Sequence, residues 1–151
     1  MKAKDMLSPE EQSHVTAAIR QAELGTSGEI RIHIDDRCTG DPVRKAEAVF
    51  RYLKMDRTGL RNGVLIYVAC QSKVFAIIGD KGINDAVPAG FWDDVIAVMK
   101  AKFSSGHFAE GLSGAVLMAG EKLKEHFPYC DGDVNELPDE ISFGEEKHQD
   151  A

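Results

Sequence analysis

At 151 residues, 43% of them hydrophobic and 28% charged, the chain has the length of one domain and enough apolar content to build a core without disulfide or metal staples. A formal net charge of -7, with no basic run longer than a pair, excludes non-specific nucleic-acid binding as a leading function. No run of about 18 uncharged apolar residues is present to span a bilayer, and the basic start at Met1-Lys2-Ala3-Lys4 has no apolar continuation, so a cytoplasmic location is expected.

Ser8-Pro9-Glu10-Glu11 marks the first helix: Ser8 caps it, Pro9 fits its first position, and Glu11 stands where a capping-box carboxylate reaches back. Val15, Ala18, Ile19 and Ala22 then form one apolar stripe, and Gly25 closes the helix after Leu24. Glu29 to Ile34 alternates strictly. A strand follows, with Ile30, Ile32 and Ile34 toward the core and Glu29, Arg31 and His33 on a partly wet face. A polar loop, Asp35 to Gly40, leads to Asp41-Pro42 as cap and first residue of a second helix. Ala46, Val49, Phe50 and Leu53 recur along it at helical spacing up to about Met55.

The continuous apolar run Val64 to Ala69 reads as a strand buried on both faces, parallel to the first because a helical crossover joins them. The break from Cys70 to Lys73 is too short for a crossover, so Lys73 to Gly79 returns antiparallel as a hairpin. Gly82 to Val87 predicts one helical turn before Pro88. Phe91 to Phe103 predicts a helix with acids early and lysines late, and His107 to Phe127 a final helix ended by Pro128. The predicted architecture is α/β, a three-layer α/β/α sandwich with a small mixed sheet over residues 1–128. Residues 129–151, rich in acids, are expected as a disordered or loosely docked tail in which Ile141 to Phe143 could pair as a short edge strand. Cys38, Cys70 and Cys130 are widely and irregularly spaced, which suits free thiols rather than a metal site.

The hairpin decides which polar residues can meet. One edge of the sheet gathers Glu29, Arg61, Asn62, Asp80, Lys81, Asn84 and Asp85. The carboxylate and amide oxygens of Glu29, Asn62, Asp80, Asn84 and Asp85 suit a hard cation such as Ca²⁺ or Mg²⁺, while Arg61 and Lys81 suit a phosphate or other anion. The plainer explanation is that Asp80 and Asp85 cap a turn and that Asn62-Gly63 only begins a strand. The opposite edge carries Asp35, Asp36 and Asp41 around Thr39-Gly40, at the carboxyl end of a parallel strand, where open sheets favour ligands; Asp41 is already accounted for as a cap. His33 has no second histidine at ligand spacing and is better explained as a half-buried, hydrogen-bonded residue than as a ligand or base. Asp131-Gly132-Asp133-Val134-Asn135 begins like a calcium loop, but Glu136 and Ser142 stand where the turn glycine and bidentate glutamate belong. No nucleophile-elbow, phosphate-loop or dinucleotide-binding motif is present.

Gly28-Glu29-Ile30-Arg31-Ile32, Arg61-Asn62-Gly63 with the strand through Ala69, Phe75 to Ile83, and Phe103-x4-Phe108-x2-Gly111-Leu112 together resemble the TPM domain family over about residues 8 to 127. That family includes thylakoid-lumen acid-phosphatase-like proteins and bacterial relatives. The resemblance implies an α/β/α sandwich, divalent-cation binding in some members and phosphatase activity in plant members. Where many members have Asp-Asn-Gly this chain has Arg61-Asn62-Gly63, and Asp80, Lys81 and Ala89 likewise depart from the common pattern, so acids are lost and bases gained. The expectation is a small soluble domain that binds Ca²⁺ or Mg²⁺, or an anion through Arg61 and Lys81, and acts as a binding or assembly-assisting module. Its partners would be a metal ion, a protein or a phosphate-containing ligand. The alternative is a metal-dependent acid-phosphatase-like phosphohydrolase.

Overall fold

The computed structural model describes residues 1–129 and 141–144. Helix α1 (Pro9–Glu23) opens with the capping box read from the sequence: Ser8 Oγ accepts from Glu11 N, and Glu11 Oε1 accepts from Ser8 N at 2.8 Å. Strand β1 (Glu29–Asp35) passes through α2 (Pro42–Tyr52) into β2 (Gly63–Ala69), with β1 and β2 parallel and Glu29 opposite Gly63. Strand β3 (Val74–Gly79) pairs antiparallel with β2, so the short break after Ala69 is a hairpin. A one-turn helix α3 (Lys81–Asn84) follows, then α4 (Asp93–Ser104) and α5 (Phe108–His126). Strand β4 (Ser142–Phe143) lies parallel to β1, giving the sheet order β3-β2-β1-β4.

The two faces of the sheet bury different side chains. Ile30, Ile32 and Ile34 of β1 and Val64, Ile66 and Val68 of β2 pack against Val15 and Ile19 of α1, Met99 of α4 and Leu112 and Val116 of α5. Nearly all of these are fully buried, and each such aliphatic contributes about 1.5–3 kcal/mol. On the other face, Leu65, Tyr67, Ala69 and Ala76 meet Ala46, Val49 and Phe50 of α2. The result is helix, sheet, helix, as the apolar patterns predict, because β2 is apolar at every position and needs cover on both sides.

One expectation about β1 holds only at Arg31. That residue keeps partial exposure on the second face, but Glu29 and His33 are 4% exposed, and Asp35 is 1% exposed. Strand β4 adds to the β1 edge and brings Ser142 opposite His33, while neighbouring β2 sets Tyr67 beside His33 in register. Polar residues are buried there because each finds a polar partner, a condition that strand alternation cannot reveal. Of the tail, Ile141 to Gly144 is docked as the predicted edge strand. Cys130 and the loop from Asp131 to Asn135 lie outside the described residues.

Candidate functional site

The antiparallel hairpin carries the two ends of the β2-β3 unit to one edge of the sheet. Arg61 directs its guanidinium at Asp80 in a two-pronged pair, Nε to Oδ2 at 2.8 Å and an Nη2 bond to Oδ1 at 2.9 Å. Asp80 Oδ1 also accepts the Lys81 N–H at 2.7 Å, so the carboxylate that caps α3 has donors on both oxygens. Asp80 is buried while the Arg61 side chain is 47% exposed. The hydrogen bonds and charge of Asp80 push the Arg61 pKa up from its already high value, so the guanidinium is a permanent cation. Arg61 sits at φ +52°, a left-handed conformation that aims the side chain back toward α3. Gly82 makes the approach possible: its N–H donates to Arg61 O at 2.9 Å, and a methyl group there would overlap the Leu60 and Arg61 carbonyls.

The other residues of this edge are used in the fold. Asn62 donates from Nδ2 to Ser27 O at 3.2 Å, and its own carbonyl accepts the Glu29 N–H. Asn84 donates to Gly79 O at 3.1 Å. Glu29 is buried, whereas Lys81 and Asp85 are exposed, Asp85 at the far end of α3. A divalent cation needs several oxygens with free lone pairs converging on one point. The residues do not fit that requirement, because the guanidinium of Arg61 stands against Asp80 where such an ion would sit. Among the described residues, no group of three or more His, Cys, Asp or Glu side chains is arranged to hold a metal.

At the opposite edge, Asp35, Asp36 and Asp41 do not converge. Asp36 accepts from Ala3 N and lies 3.9 Å from Lys2 Nζ, tying down the N-terminal turn. Asp41 is exposed and caps α2 by accepting from Val43 N at 3.0 Å. Asp35 turns into the sheet, accepting from Tyr67 Oη at 2.7 Å and bonding His33 Nε2 at 2.8 Å. The other imidazole nitrogen, Nδ1, lies 2.7 Å from Ser142 Oγ. Burial alone would raise the Asp35 pKa. The hydrogen bonds from His33 and Tyr67, with the charges of His33 when protonated and of Lys45, outweigh it and hold the carboxyl below its ordinary value. The Tyr67 hydroxyl is pushed strongly up by burial and by Asp35, so it stays a donor.

His33, Asp35 and Ser142 line a cleft of about 500 Å³ whose opposite wall is Lys45, Val49, Arg51 and Tyr52 of α2. That volume is within the range of small-molecule sites. Sequence reasoning placed His33 and Asp35 but missed Tyr67, Lys45 and Ser142. The parallel register that puts His33 beside Tyr67 was readable once β1 and β2 were aligned, but Ser142, 109 residues from His33, gave no local signal. Cys38 and Cys70 are free thiols, and burial, then Asp36, pushes the Cys70 thiol up.

The sequence matches the TPM domain model over residues 1–122. Among solved structures, the NMR structure of the BA42 protein from the psychrophilic bacterium Bizionia argentinensis is similar, with 45% sequence identity and a TM-score of 0.88. The match covers 95% of this chain and 99% of that one. The N-terminal domain of the cg2496 protein from Corynebacterium glutamicum shares the fold at 15% identity and a TM-score of 0.59, over 94% of this chain and 82% of that one. No curated protein matches the chain.

Proposed function

The chain belongs to the TPM domain family, and from that premise we propose a binding module whose Arg61–Asp80 edge receives an anionic group of a partner without a divalent cation. The observation that carries this reading is the two-pronged pair itself. It neutralises Asp80 from within the chain, leaving Lys81 and the outer face of the half-exposed guanidinium to meet a phosphate or carboxylate. A metal-dependent phosphohydrolase finds less support, since it requires a cation where the guanidinium stands and, among the described residues, no pairing of nucleophile and base is found at this edge. Among the described residues, no helix is long and apolar enough to cross a membrane.

The test is a pair of NMR titrations of the full chain. Inorganic phosphate is expected to shift the amides of Arg61, Lys81 and Gly82. Millimolar Ca²⁺ or Mg²⁺ is expected to leave those of Asn62, Asp80 and Asp85 in place. Phosphate without effect refutes the anion site, and movement of Asn62 and Asp80 with metal restores the cation.

A further inference from the structure

Independently of that edge, we propose that Ser142 is a nucleophile activated by His33 and that the cleft it lines hydrolyses small acyl esters carrying an anionic group. Three observations converge on this chemistry. The first is the chain of contacts Ser142 Oγ to His33 Nδ1 at 2.7 Å and His33 Nε2 to Asp35 Oδ1 at 2.8 Å, a nucleophile, a base and an orienting carboxylate in hydrogen-bond sequence. The second is the assignment of the proton. Asp35 is ionised, so it has no hydrogen to give. The hydrogen between it and Nε2 therefore belongs to the imidazole, and a neutral ring keeps a bare lone pair on Nδ1, directed at the serine. Tyr67 donates to the second oxygen of Asp35 and fixes that carboxylate in place. Among the described residues, Ser142 Oγ has one other neighbouring acceptor, Ile32 O at 3.4 Å, and the shorter contact to Nδ1 takes its hydrogen.

The third observation is access. His33 and Asp35 are closed off from solvent, but Ser142 is only partly buried and forms the cleft wall. Gly144 makes this closure: a methyl group there would overlap Asp35 Oδ1 and crowd His33 Nε2, so only glycine lets the chain cover the pair so closely. The cleft's lining pairs an apolar strip, Ala48, Val49 and Leu53, with Lys45 and Arg51, and this combination suits a short acyl chain ending in a carboxylate.

The step balances within the site. Ser142 Oγ forms a bond to the ester carbonyl carbon as its proton passes to His33 Nδ1. The carbon–oxygen bond to the alcohol breaks as the imidazolium returns that proton to the departing oxygen, leaving an acyl-serine. Water then adds to the acyl carbon with His33 again taking and returning a proton, which releases the acid and restores the serine hydroxyl. His33 and Ser142 are the catalytic residues; Asp35 and Tyr67 position the imidazole.

The full chain treated with a fluorophosphonate is expected to gain one phosphonyl group, mapped by peptide mass to Ser142. Ser142→Ala, a small change on an edge strand, removes the adduct. Urea-unfolded chain gives none, and His33→Gln slows it on the order of 10²-fold or more. Mono-4-nitrophenyl succinate should show a lower KM than 4-nitrophenyl acetate, a gap that Lys45→Met narrows. Asp35→Asn is expected to move the ring proton to Nδ1 in long-range imidazole ¹⁵N spectra and to slow labelling together, which a merely structural carboxylate would not do. No adduct on Ser142, equal labelling of the folded and unfolded chain, or labelling at the wild-type rate in His33→Gln overturns the proposal, and an unchanged gap in Lys45→Met overturns its anionic substrate class.

Discussion

Tyr67→Phe isolates one hydrogen bond in a buried polar cluster of the fold. Tyr67 is fully buried, its ring lies nearly parallel to that of His33 with centroids 6.1 Å apart, and its hydroxyl donates to Asp35 Oδ2 at 2.7 Å. Phenylalanine keeps the ring and its packing, so the loss is confined to the bond and to a carboxylate left with one donor fewer. A hydrogen bond to a charged group is worth about 1.5–3 kcal/mol, and with about 2–4 °C per kcal/mol for a domain of this size the melting temperature should fall by roughly 3–12 °C near neutral pH. The loss depends on pH. The folded-state pKa of Asp35 lies below its unfolded value, so its contribution is complete above the unfolded pKa and fades as pH falls through the folded one. Urea denaturation of both proteins at pH 7 and near about pH 3 measures this: the difference should shrink on acidification, because a protonated Asp35 no longer rewards the donor. A deficit under about 0.5 kcal/mol at neutral pH, or one of equal size at both pH values, would refute an ionised Asp35 held by Tyr67.

Arg61→Asp removes the guanidinium and sets a second carboxylate beside Asp80, at a left-handed position that Asp tolerates better than most residues. Millimolar Ca²⁺ should then shift the Asn62 and Asp80 amides, which it is expected to leave in place in the wild type, and should raise the melting temperature of the variant alone. Gly144→Ala should displace β4, at a cost of about 1–3 kcal/mol for the overlap, and hydrogen exchange should quicken at Gly144, whose N–H bonds Ile34 O at 2.9 Å. Ile66→Ala, at a fully buried central-strand position, should cost about 2–5 kcal/mol in urea denaturation without changing which ligands bind.

The fold was legible because its signals are local. Ser8 and Glu11 announce a helix start, the break after Ala69 is too short for anything but a hairpin, and β2 is apolar at all its positions. What escaped were partnerships formed across long separations. Glu29 and His33 alternate as a wet face should, yet are buried, His33 because Tyr67 and Ser142 approach it from β2 and β4. At the other edge the gathering of Arg61, Asp80 and Lys81 could be read from strand direction, but not that Arg61 would take both oxygens of Asp80. That depends on the positive φ of Arg61 and on Gly82 admitting the loop, neither of which a spacing rule contains.

Strand direction also keeps the two ends chemically separate. Glu29 opens β1 at the Arg61–Asp80 edge and Asp35 closes it at the cleft, six steps apart, which at about 3.3 Å per residue is about 20 Å. That separation exceeds the roughly 8 Å Debye length at physiological salt, and Ile30, Ile32 and Ile34 fill the core face of the strand between them. Each end has also resolved its buried carboxylate differently. Asp80 is paired to the guanidinium of Arg61, a fixed cation. Asp35 is paired to an imidazole whose other nitrogen is turned toward Ser142. The proposed anion site and the proposed activated hydroxyl therefore belong to opposite ends of one sheet, and the residues of each can be altered without redefining the other.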